Sequence, residues 1–325
     1  MSAPRRIASL LASGTEILYG LGLGECVVAV SHECDWPPDC AGKPRVTFTN
    51  VCTTAASSAI DVQVREMLAG GAPLYEIDVE QLVALEPNLI VTQAQCDVCA
   101  VKYEDVVSLV QPAAPLAGVP VVALNPFTLG DVLADIERVG SATGCETEAA
   151  GYVNQLRRRL DAVRAVTCDM HRDQRPLVAC IEWIEPLMIA ANWMPEMIEL
   201  VGARQCWSEA GRHSTYTPWE QLIASDPEVI VVMPCGFDLE RTLSEARRLE
   251  EFPGWSNLQA VRSGRVYACD GNAYFNRSGP RLVDSVELLV RLVHPQRFGM
   301  TGDEPGEANV WRRLTIAAPR AASGR

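Results

Sequence analysis

The stretch Glu80-Gln-Leu-Val-Ala-Leu-Glu-Pro-Asn-Leu-Ile-Val-Thr92 recurs about 140 residues later as Glu220-Gln-Leu-Ile-Ala-Ser-Asp-Pro-Glu-Val-Ile-Val-Val232. Seven of the thirteen positions are identical. In both copies a short amphipathic helical pattern stops before a proline and leads into a run rich in β-branched residues, which is typical of a helix followed by a strand. The repeat therefore predicts a chain built from two halves of similar local architecture.

Strand-like and helical patterns alternate on both sides of these two copies. The strand-like runs lie at 5–10, 27–31, 88–92 and 119–124 in the first half and at 177–182, 229–233 and 265–268 in the second. Strands that are separated by helices are typical of a parallel sheet with helical crossovers. The sequence thus predicts an α/β fold in each half.

Between the halves the pattern is almost continuously helical, and after His294-Pro295 it becomes rich in Gly, Pro, Ala and Arg. A helix of about twenty residues is roughly 30 Å long and can act as a stiff strut. We predict an N-terminal α/β lobe over 1–127, a helical linker with a long strut helix over 128–166, a C-terminal α/β lobe over 167–298 and a disordered tail over 299–325.

Composition limits the function classes. The 325 residues carry 28 Lys and Arg against 41 Asp and Glu, a formal net charge of −13, which argues against nucleic-acid binding. No apolar run approaches the roughly 18 residues of a membrane span. Dinucleotide-binding, P-loop and nucleophile-elbow motifs are missing from the sequence, so no enzyme class is indicated and we expect a protein that is not an enzyme.

Cysteine usage bears on the compartment. The chain has twelve cysteines, and its first residues lack the long apolar core of a secretory signal. Thiols stay reduced in the cytoplasm. We therefore expect a cytoplasmic protein with unpaired cysteines, or a periplasmic one if the true start lies upstream.

Aromatic and charged residues cluster in loops that follow predicted strands, where ligands bind in open α/β sheets. Such side chains either pack locally or form the flat apolar walls of a site for a large planar ligand. The candidate ligand-binding residues are His32, Trp36, Trp183, Glu185, Trp193, Glu196, Tyr274, Phe275 and Arg277.

The Cys96-Asp-Val-Cys99 motif follows the strand at 88–92. A single C-x-x-C fits half a zinc site, part of an iron–sulfur site or a redox pair. Cys34 and His32 lie in a loop at the same predicted end of the sheet, so Cys34, Cys96 and Cys99 are candidate metal ligands. The alternative is that these reduced thiols line a pocket.

Glu80 and Glu220 occupy equivalent places at the start of a helix in the two repeats. A carboxylate there is favoured by the helix dipole alone. The paired placement also suits docking onto a two-fold partner that carries basic sockets.

Three stretches carry a family resemblance together with the two Glu-Gln-Leu repeats: Ile7-Ala-Ser-Leu-Leu-Ala-Ser-Gly-Thr-Glu-Ile-Leu-Tyr-Gly-Leu-Gly-Leu-Gly24, Val28-Ala-Val-Ser-His-Glu-Cys-Asp-Trp-Pro-Pro38 and Tyr274-Phe-Asn-Arg-Ser-Gly-Pro-Arg-Leu-Val-Asp284. They resemble the Fe/B12 periplasmic-binding domain family, and within it the cobalamin-binding proteins of vitamin B12 ABC importers. The resemblance implies two Rossmann-like α/β lobes joined by a long rigid helix, the class III periplasmic-binding-protein fold, with the ligand clamped between the lobes.

Residue by residue, the resemblance places Trp36 against the corrin ring and the loop 274–277 toward the ligand. It places Trp183, Trp193 and Glu196 in the ligand-facing loops of the second lobe. Glu80 and Glu220 match the carboxylates that dock onto arginines of the transporter.

These expectations lead to one main hypothesis and two alternatives. The main hypothesis is a non-enzymatic binding protein for cobalamin or a related corrinoid, with a role in cytoplasmic handling, retention or sensing. One alternative is a metal- or iron–sulfur-dependent enzyme that uses Cys96 and Cys99 in the same cleft. The other is the substrate-binding subunit of an ABC importer for an iron chelate or vitamin B12, whose true start lies upstream, with the transporter permease as its partner.

Overall fold

A computed structural model describes residues 6–96, 98–298 and 310–314. The chain divides into two compact units. The first comprises the described residues up to Asp161 together with Arg277–Val283, and the second comprises Ala162–Asn276 and the described residues from Asp284 onward. A short segment that is late in the sequence is therefore part of the first unit.

The first part of the chain forms a parallel sheet with helical crossovers. Its elements are β1 (Ile7–Ser9), α1 (Ala12–Gly20), β2 (Val27–Val30), β3 (Thr47–Thr49), α2 (Ser57–Ala69), β4 (Tyr75–Ile77), α3 (Val79–Ala84), β5 (Leu89–Gln93), α4 (Tyr103–Val110), β6 (Val121–Leu124), α5 (Leu129–Thr143) and α6 (Glu146–Thr167). The sheet has the order β2-β1-β5-β6 with every pair parallel, and β3 and β4 form a separate antiparallel pair. The loops after β2 and β5 thus leave the sheet at its carboxyl edge.

The later part of the chain repeats this plan with antiparallel additions. Its elements are β7 (Leu177–Trp183), β8 (Met188–Ile189), α7 (Met194–Leu200), β9 (Arg204–Gln205), β10 (Thr215–Tyr216), α8 (Trp219–Ser225), β11 (Val229–Val232), α9 (Leu239–Ala246), α10 (Gln259–Arg262), β12 (Val266–Cys269), α11 (Leu282–Val293) and β13 (Trp311–Arg313). The sheet order is β10-β8-β7-β11-β12-β13, and β9 also pairs with β7. The central strands β7, β11 and β12 are parallel, whereas β8, β10 and β13 are antiparallel to their neighbours. The predicted α/β class is confirmed.

The two copies of the repeat adopt the same conformation. Each forms a helix and then a strand, α3–β5 in the first copy and α8–β11 in the second. Leu82 and Leu222, at equivalent positions, are fully buried. Glu86 and Asp226, which precede the two prolines, both have left-handed backbones, with φ of 45° and 43°. A left-handed residue ends the helix, and it recurs at the same position in both copies.

Two helices occupy the region between the repeats that the sequence pattern predicts to be helical. Thr128 caps α5 through a reciprocal capping box with Asp131, and Gly144 ends the helix with a φ of 70°. The helix α6 then runs for 22 residues, roughly 33 Å. The chain passes from the first unit to the second within α6, after Asp161.

The tail predicted to be disordered over 299–325 falls mostly outside the described residues. Within it, Trp311–Arg313 instead forms β13, which pairs with β12 through Cys269 and Trp311. Trp311 is 5% exposed and its ring meets that of Tyr267 edge-on at 5.6 Å. This buried aromatic contact explains why a strand forms in a segment of otherwise low periodicity. No helix in the described ranges is both long and apolar enough to cross a membrane.

Candidate functional site

The loop that follows β2 presents a tryptophan to solvent. The Trp36 side chain is 45% exposed, and the guanidinium carbon of Arg281 lies 5.1 Å from the centre of its ring. A cation over an indole face is attracted by the ring quadrupole. Arg281 therefore supports the ring while nearly half of Trp36 stays accessible. The contact of Trp36 with a ligand stays a prediction.

Arg277 holds this loop in place. Its guanidinium donates to both carboxylate oxygens of Asp35, with 2.8 Å between Nη2 and Oδ2, and Nη2 also donates to the Glu33 carbonyl oxygen at 3.2 Å. Burial opposes the charge on Arg277, but hydrogen bonds to Asp35 outweigh it and hold the arginine pKa above its usual range. Arg277 is only 8% exposed. Its predicted ligand contact stays a prediction, and the structure shows an anchoring role.

Glu16 lies beneath the same loop and joins the two arginines. Its Oε1 accepts from Arg281 at 2.8 and 3.1 Å and lies 3.5 Å from Nη1 of Arg277. Its Oε2 has no hydrogen-bond partner among the described residues. Burial raises the pKa of Glu16 despite the two guanidinium groups. Glu16 was not among the predicted site residues, because its position inside α1 gives no local signal of a charge pair.

His32, the first of the candidate residues in the chain, is held at the base of the same loop. Its Nδ1 lies 2.7 Å from the Thr47 hydroxyl, which also accepts from the His32 backbone N–H at 3.0 Å. Its Nε2 lies 3.3 Å from Oε1 of Glu33, and this neighbour lowers the pKa of Glu33. The imidazole ring is also 5.5 Å from that of Tyr75. The His32 ring thus contacts Thr47, Glu33 and Tyr75.

The predicted metal cluster does not form in the described residues. The Cys34 thiol is fully buried and lies 3.0 Å from the Thr15 hydroxyl, and burial raises its pKa. Cys96 and Cys99 lie together in the turn after β5. Across 6–96, 98–298 and 310–314, no three His, Cys, Asp or Glu side chains are grouped closely enough to hold a metal ion. The expected convergence of Cys34 with the Cys96–Cys99 pair is therefore wrong, because Cys34 points into the protein interior.

In the second unit, polar groups gather where β7 ends. The carboxylate Oε2 of Glu182 accepts from the Ser214 hydroxyl at 2.6 Å, and burial raises the Glu182 pKa. The same Ser214 oxygen accepts from the backbone N–H of Ala191. Trp183 packs on Phe237 at 5.3 Å, and its indole N–H has no partner in the described ranges. Trp183 was predicted from the sequence as a ligand-binding residue, whereas Glu182 was not. An acidic residue at the end of an apolar strand is the sequence signal that could have identified it.

Other predicted second-unit residues are engaged in packing or ion pairs. Trp193 is 6% exposed and its indole N–H donates to the Phe275 carbonyl oxygen at 2.9 Å, while Phe275 is fully buried. Glu185 forms an ion pair with Arg248. Trp193 and Phe275 are therefore brought together, and the bond between them joins the start of α7 to the turn Gly271–Phe275.

Glu196 and Tyr274 lie in different surroundings. Glu196 is in the first turn of α7 and is half-buried. Tyr274 lines a cavity of about 200 Å³ together with Asp284, Glu287 and Arg291. The ligand contacts of both residues stay predictions.

Glu80 and Glu220 are exposed in the first turns of α3 and α8. The two helix starts are fixed differently. Asp78 caps α3 by accepting from the Gln81 N–H at 2.9 Å. At α8 the Trp219 ring stacks on Phe252 at 4.6 Å, and its N–H donates to the Pro253 carbonyl at 2.7 Å. Both carboxylates are thus presented on anchored helix ends.

The sequence profile of the family described as "Periplasmic binding protein" matches residues 7–273, which is most of the chain. The chain belongs to this family.

Individual members of this periplasmic binding protein family are distant from it in sequence. An uncharacterized ABC transporter substrate-binding lipoprotein of Bacillus subtilis, YvrC, is 25% identical over 91% of this chain and 82% of its own length. A vitamin B12-binding protein of Vibrio cholerae is 23% identical over 87% of each chain. A solved periplasmic heme-binding protein from Pseudomonas aeruginosa covers 97% of this chain and 99% of its own, with a TM-score of 0.70 and 18% identity. The fold is therefore the class III periplasmic-binding-protein fold.

Members of this family are solute-binding proteins. The chain is accordingly a substrate-binding protein, and the alternative of a metal- or iron–sulfur-dependent enzyme is wrong. The resemblance stated from the sequence motifs is confirmed. The identity of the ligand is a separate question, because relatives with this fold carry names that refer to vitamin B12 and to heme.

Proposed function

We propose that this periplasmic binding protein family member binds a corrinoid of the cobalamin type. The observation that carries the proposal is the Trp36 loop. Its indole is 45% exposed and has the Arg281 guanidinium over its ring, and Arg277 anchors the loop through Asp35. A pre-positioned aromatic face suits a broad macrocycle, because little side-chain freedom is lost when the ring stacks on it.

Polar groups of the second unit support the same proposal. A corrin ring carries peripheral amides, which donate and accept hydrogen bonds. An ionised Glu182 carboxylate at the end of β7 suits an amide better than the carboxylate of a heme propionate, since two carboxylates repel when both are ionised. The Trp183 indole N–H has no hydrogen-bond partner among the described residues, so it is an additional hydrogen-bond donor. These groups favour a corrinoid over heme.

The experiment is a parallel titration of the reduced, purified chain with hydroxocobalamin and with hemin. We expect hydroxocobalamin at about 50 μM to raise the melting temperature and shift its own absorption band, as binding to the native state alone stabilises it. The hemin response should be at least about ten-fold weaker, a difference of about 1.4 kcal/mol. A response to hemin alone would replace the corrinoid by heme, and no response to either would remove the proposal.

A handling or retention role in a reducing compartment is part of this proposal. The chain has twelve cysteines, and four of them are buried. Thiols in that number persist where the surroundings are reducing. Fractionation of cells that express the tagged gene from its own locus tests this. Recovery with the cytoplasmic marker supports handling, and recovery with a periplasmic or lipoprotein marker supports uptake.

The importer alternative is favoured by one specific observation, the exposed and equivalent carboxylates of Glu80 and Glu220 on anchored helix ends. Its test is the ATPase activity of a cognate ABC transporter. The double variant Glu80→Gln and Glu220→Gln should bind ligand normally but stimulate ATP hydrolysis less. Glu148→Gln, an exposed carboxylate in the first turn of α6, is the matched control. Equal stimulation by all three proteins would exclude this docking mode.

A further inference from the structure

The turn that follows β5 brings two cysteine side chains together. The Sγ atoms of Cys96 and Cys99 lie 3.2 Å apart, with Cys99 exposed and Cys96 half-buried. A disulfide bond is about 2.05 Å long, so the two sulfur atoms need to approach by only about 1 Å to bond. Neither ligand binding nor transporter docking as described above uses this pair.

Gln93, the last residue of β5, holds one side of this turn in position. Its side chain is 4% exposed. The Oε1 atom accepts from the backbone N–H groups of Gln95 and Cys96 at 2.9 and 2.8 Å. The Nε2 atom donates to the carbonyl oxygens of Cys96 and Val101. Cys96 is thus fixed to a buried strand end, which lowers the conformational entropy that ring closure would cost.

A second hydrogen bond restrains the turn from outside. The Tyr75 hydroxyl donates to the Val98 carbonyl oxygen at 2.9 Å. Val98 lies between the two cysteines in the sequence, and Tyr75 is held by the β3–β4 pair. The turn is therefore restrained from two elements, and the short sulfur–sulfur distance follows from that framework.

Three buried cysteines lack the access that this pair has, and an exposed one provides a comparison. Cys34, Cys180 and Cys269 are buried, and burial raises the pKa of each thiol, which suppresses the reactive thiolate. Cys168 is exposed, but its thiol lies 3.3 Å from the Ala165 carbonyl oxygen. Cys168 thus serves as an exposed reference thiol.

We propose that Cys96 and Cys99 form a redox-active dithiol that a small-molecule disulfide, such as oxidised glutathione, converts into an intramolecular disulfide. The Cys99 thiolate attacks one glutathione sulfur, so a Cys99–glutathione bond forms, the glutathione disulfide breaks, and one glutathione thiolate leaves. The Cys96 thiolate then attacks Sγ of Cys99 and expels the second glutathione. The protein loses two electrons and two protons, and two glutathione thiols are formed.

The second step is intramolecular, so the mixed disulfide should not accumulate. Tethering gives the Cys96 sulfur an effective concentration in the millimolar range or above at Cys99. External glutathione at lower concentration competes poorly with it. This distinguishes the dithiol from a pair of unrelated surface thiols, which would each retain a glutathione adduct.

The test treats the reduced full-length chain with oxidised glutathione, quenches with acid, alkylates the remaining thiols and maps the cysteines by mass spectrometry. We expect the wild type to lose two alkylatable thiols, to yield a peptide with a Cys96–Cys99 disulfide and to regain both thiols with dithiothreitol. Cys96→Ser should retain one glutathione on Cys99, and Cys99→Ser should retain one on Cys96. Cys168→Ser should behave as the wild type.

The wild-type result is decisive even if a variant folds poorly. Stable glutathione adducts on Cys96 or Cys99, without the intramolecular disulfide, would overturn the proposal. So would a rate of oxidation at this pair no faster than the rate at Cys168, against an expected excess of at least about ten-fold. The outcome does not depend on which ligand the protein binds.

Discussion

Arg277 and Asp35 form a two-bond ion pair although 242 residues separate them in the sequence. Asp35 is the residue before Trp36, so the pair fixes the backbone that carries the exposed indole. The segment Arg277–Val283 belongs to the same unit as Asp35 although the chain between them forms most of the other unit. The geometry of the candidate site therefore depends on a late segment of the chain.

Arg277→Ala should destabilise the protein and weaken ligand binding together. The guanidinium is 8% exposed, and removal leaves the buried carboxylate of Glu16 with one arginine fewer. Breaking a fully buried pair costs about 3–5 kcal/mol, and because the Asp35 side chain is half exposed we expect about 2–3 kcal/mol. Urea unfolding measures the loss.

Arg157→Ala is the matched control in the same unit. Arg157 lies 3.8 Å from Oε1 of Glu137, and the two side chains are 54% and 50% exposed. Exposed pairs contribute at most about 1 kcal/mol. Equal losses of stability in the two variants would show that the Arg277 cluster has no special role.

Asp135 should make stability fall as the pH rises. Its side chain is 1% exposed and pairs with Arg138, and burial raises its pKa to about 6 from an ordinary 3.8. The folded state thus holds the proton to higher pH than the unfolded state, and ionisation costs stability between about pH 4 and pH 6. Between pH 4.5 and 7.5, the free energy of unfolding of the wild type should fall by about 2 kcal/mol relative to that of Asp135→Asn.

Urea unfolding of the wild type and Asp135→Asn at those two pH values provides the measurement. The difference between the proteins isolates this carboxyl from other buried titrating groups, such as Glu16 and Glu182. A difference that stays constant between pH 4.5 and 7.5 would mean that Asp135 titrates normally in the folded protein.

Replacing the left-handed residue of each repeat by glycine should change the stability of the protein differently in the two copies. Glu86→Gly should stabilise the protein by about 0.5–1 kcal/mol, since glycine adopts a φ of 45° without a Cβ clash. Asp226→Gly gains the same relief but loses the hydrogen bond that Oδ1 accepts from the Gln259 N–H at 2.7 Å, so it should be neutral or destabilising. Thermal unfolding of both variants measures the contrast, and stabilisation by Asp226→Gly would contradict it.

The repeat predicted the α3–β5 and α8–β11 pairs because their apolar spacing and prolines are local signals. The strands β8, β9 and β10 have two residues each, and their pairing with one another and with β7 is not visible in local periodicity. The burial of Trp193 against Phe275 likewise depends on residues 82 positions apart. Local patterns thus predicted the main elements but not the contacts that decide exposure.

In the candidate site, too, local sequence patterns predicted some features and missed the contacts that form only on folding. Trp36 is exposed where the sequence placed a ligand-facing aromatic, and Glu80 and Glu220 are exposed at equivalent helix starts. The anchoring cluster of Glu16, Asp35 and Arg277 and the buried Glu182 carboxyl were not predicted in those roles, because charge pairing and desolvation arise only after folding. The metal cluster was wrong for the same reason, since Cys34 faces inward toward Thr15.

Equilibrium dialysis of hydroxocobalamin against the wild type, Trp36→Ala and Phe48→Ala tests the central claim most directly. Trp36 and Phe48 are each 45% exposed, so the two variants remove aromatic rings of equal accessibility from the same unit. We predict a dissociation constant of about 10 μM or below for the wild type and Phe48→Ala, and at least about ten-fold weaker binding for Trp36→Ala. Undetectable binding by the wild type, or equal affinities for the wild type and Trp36→Ala, would contradict the account.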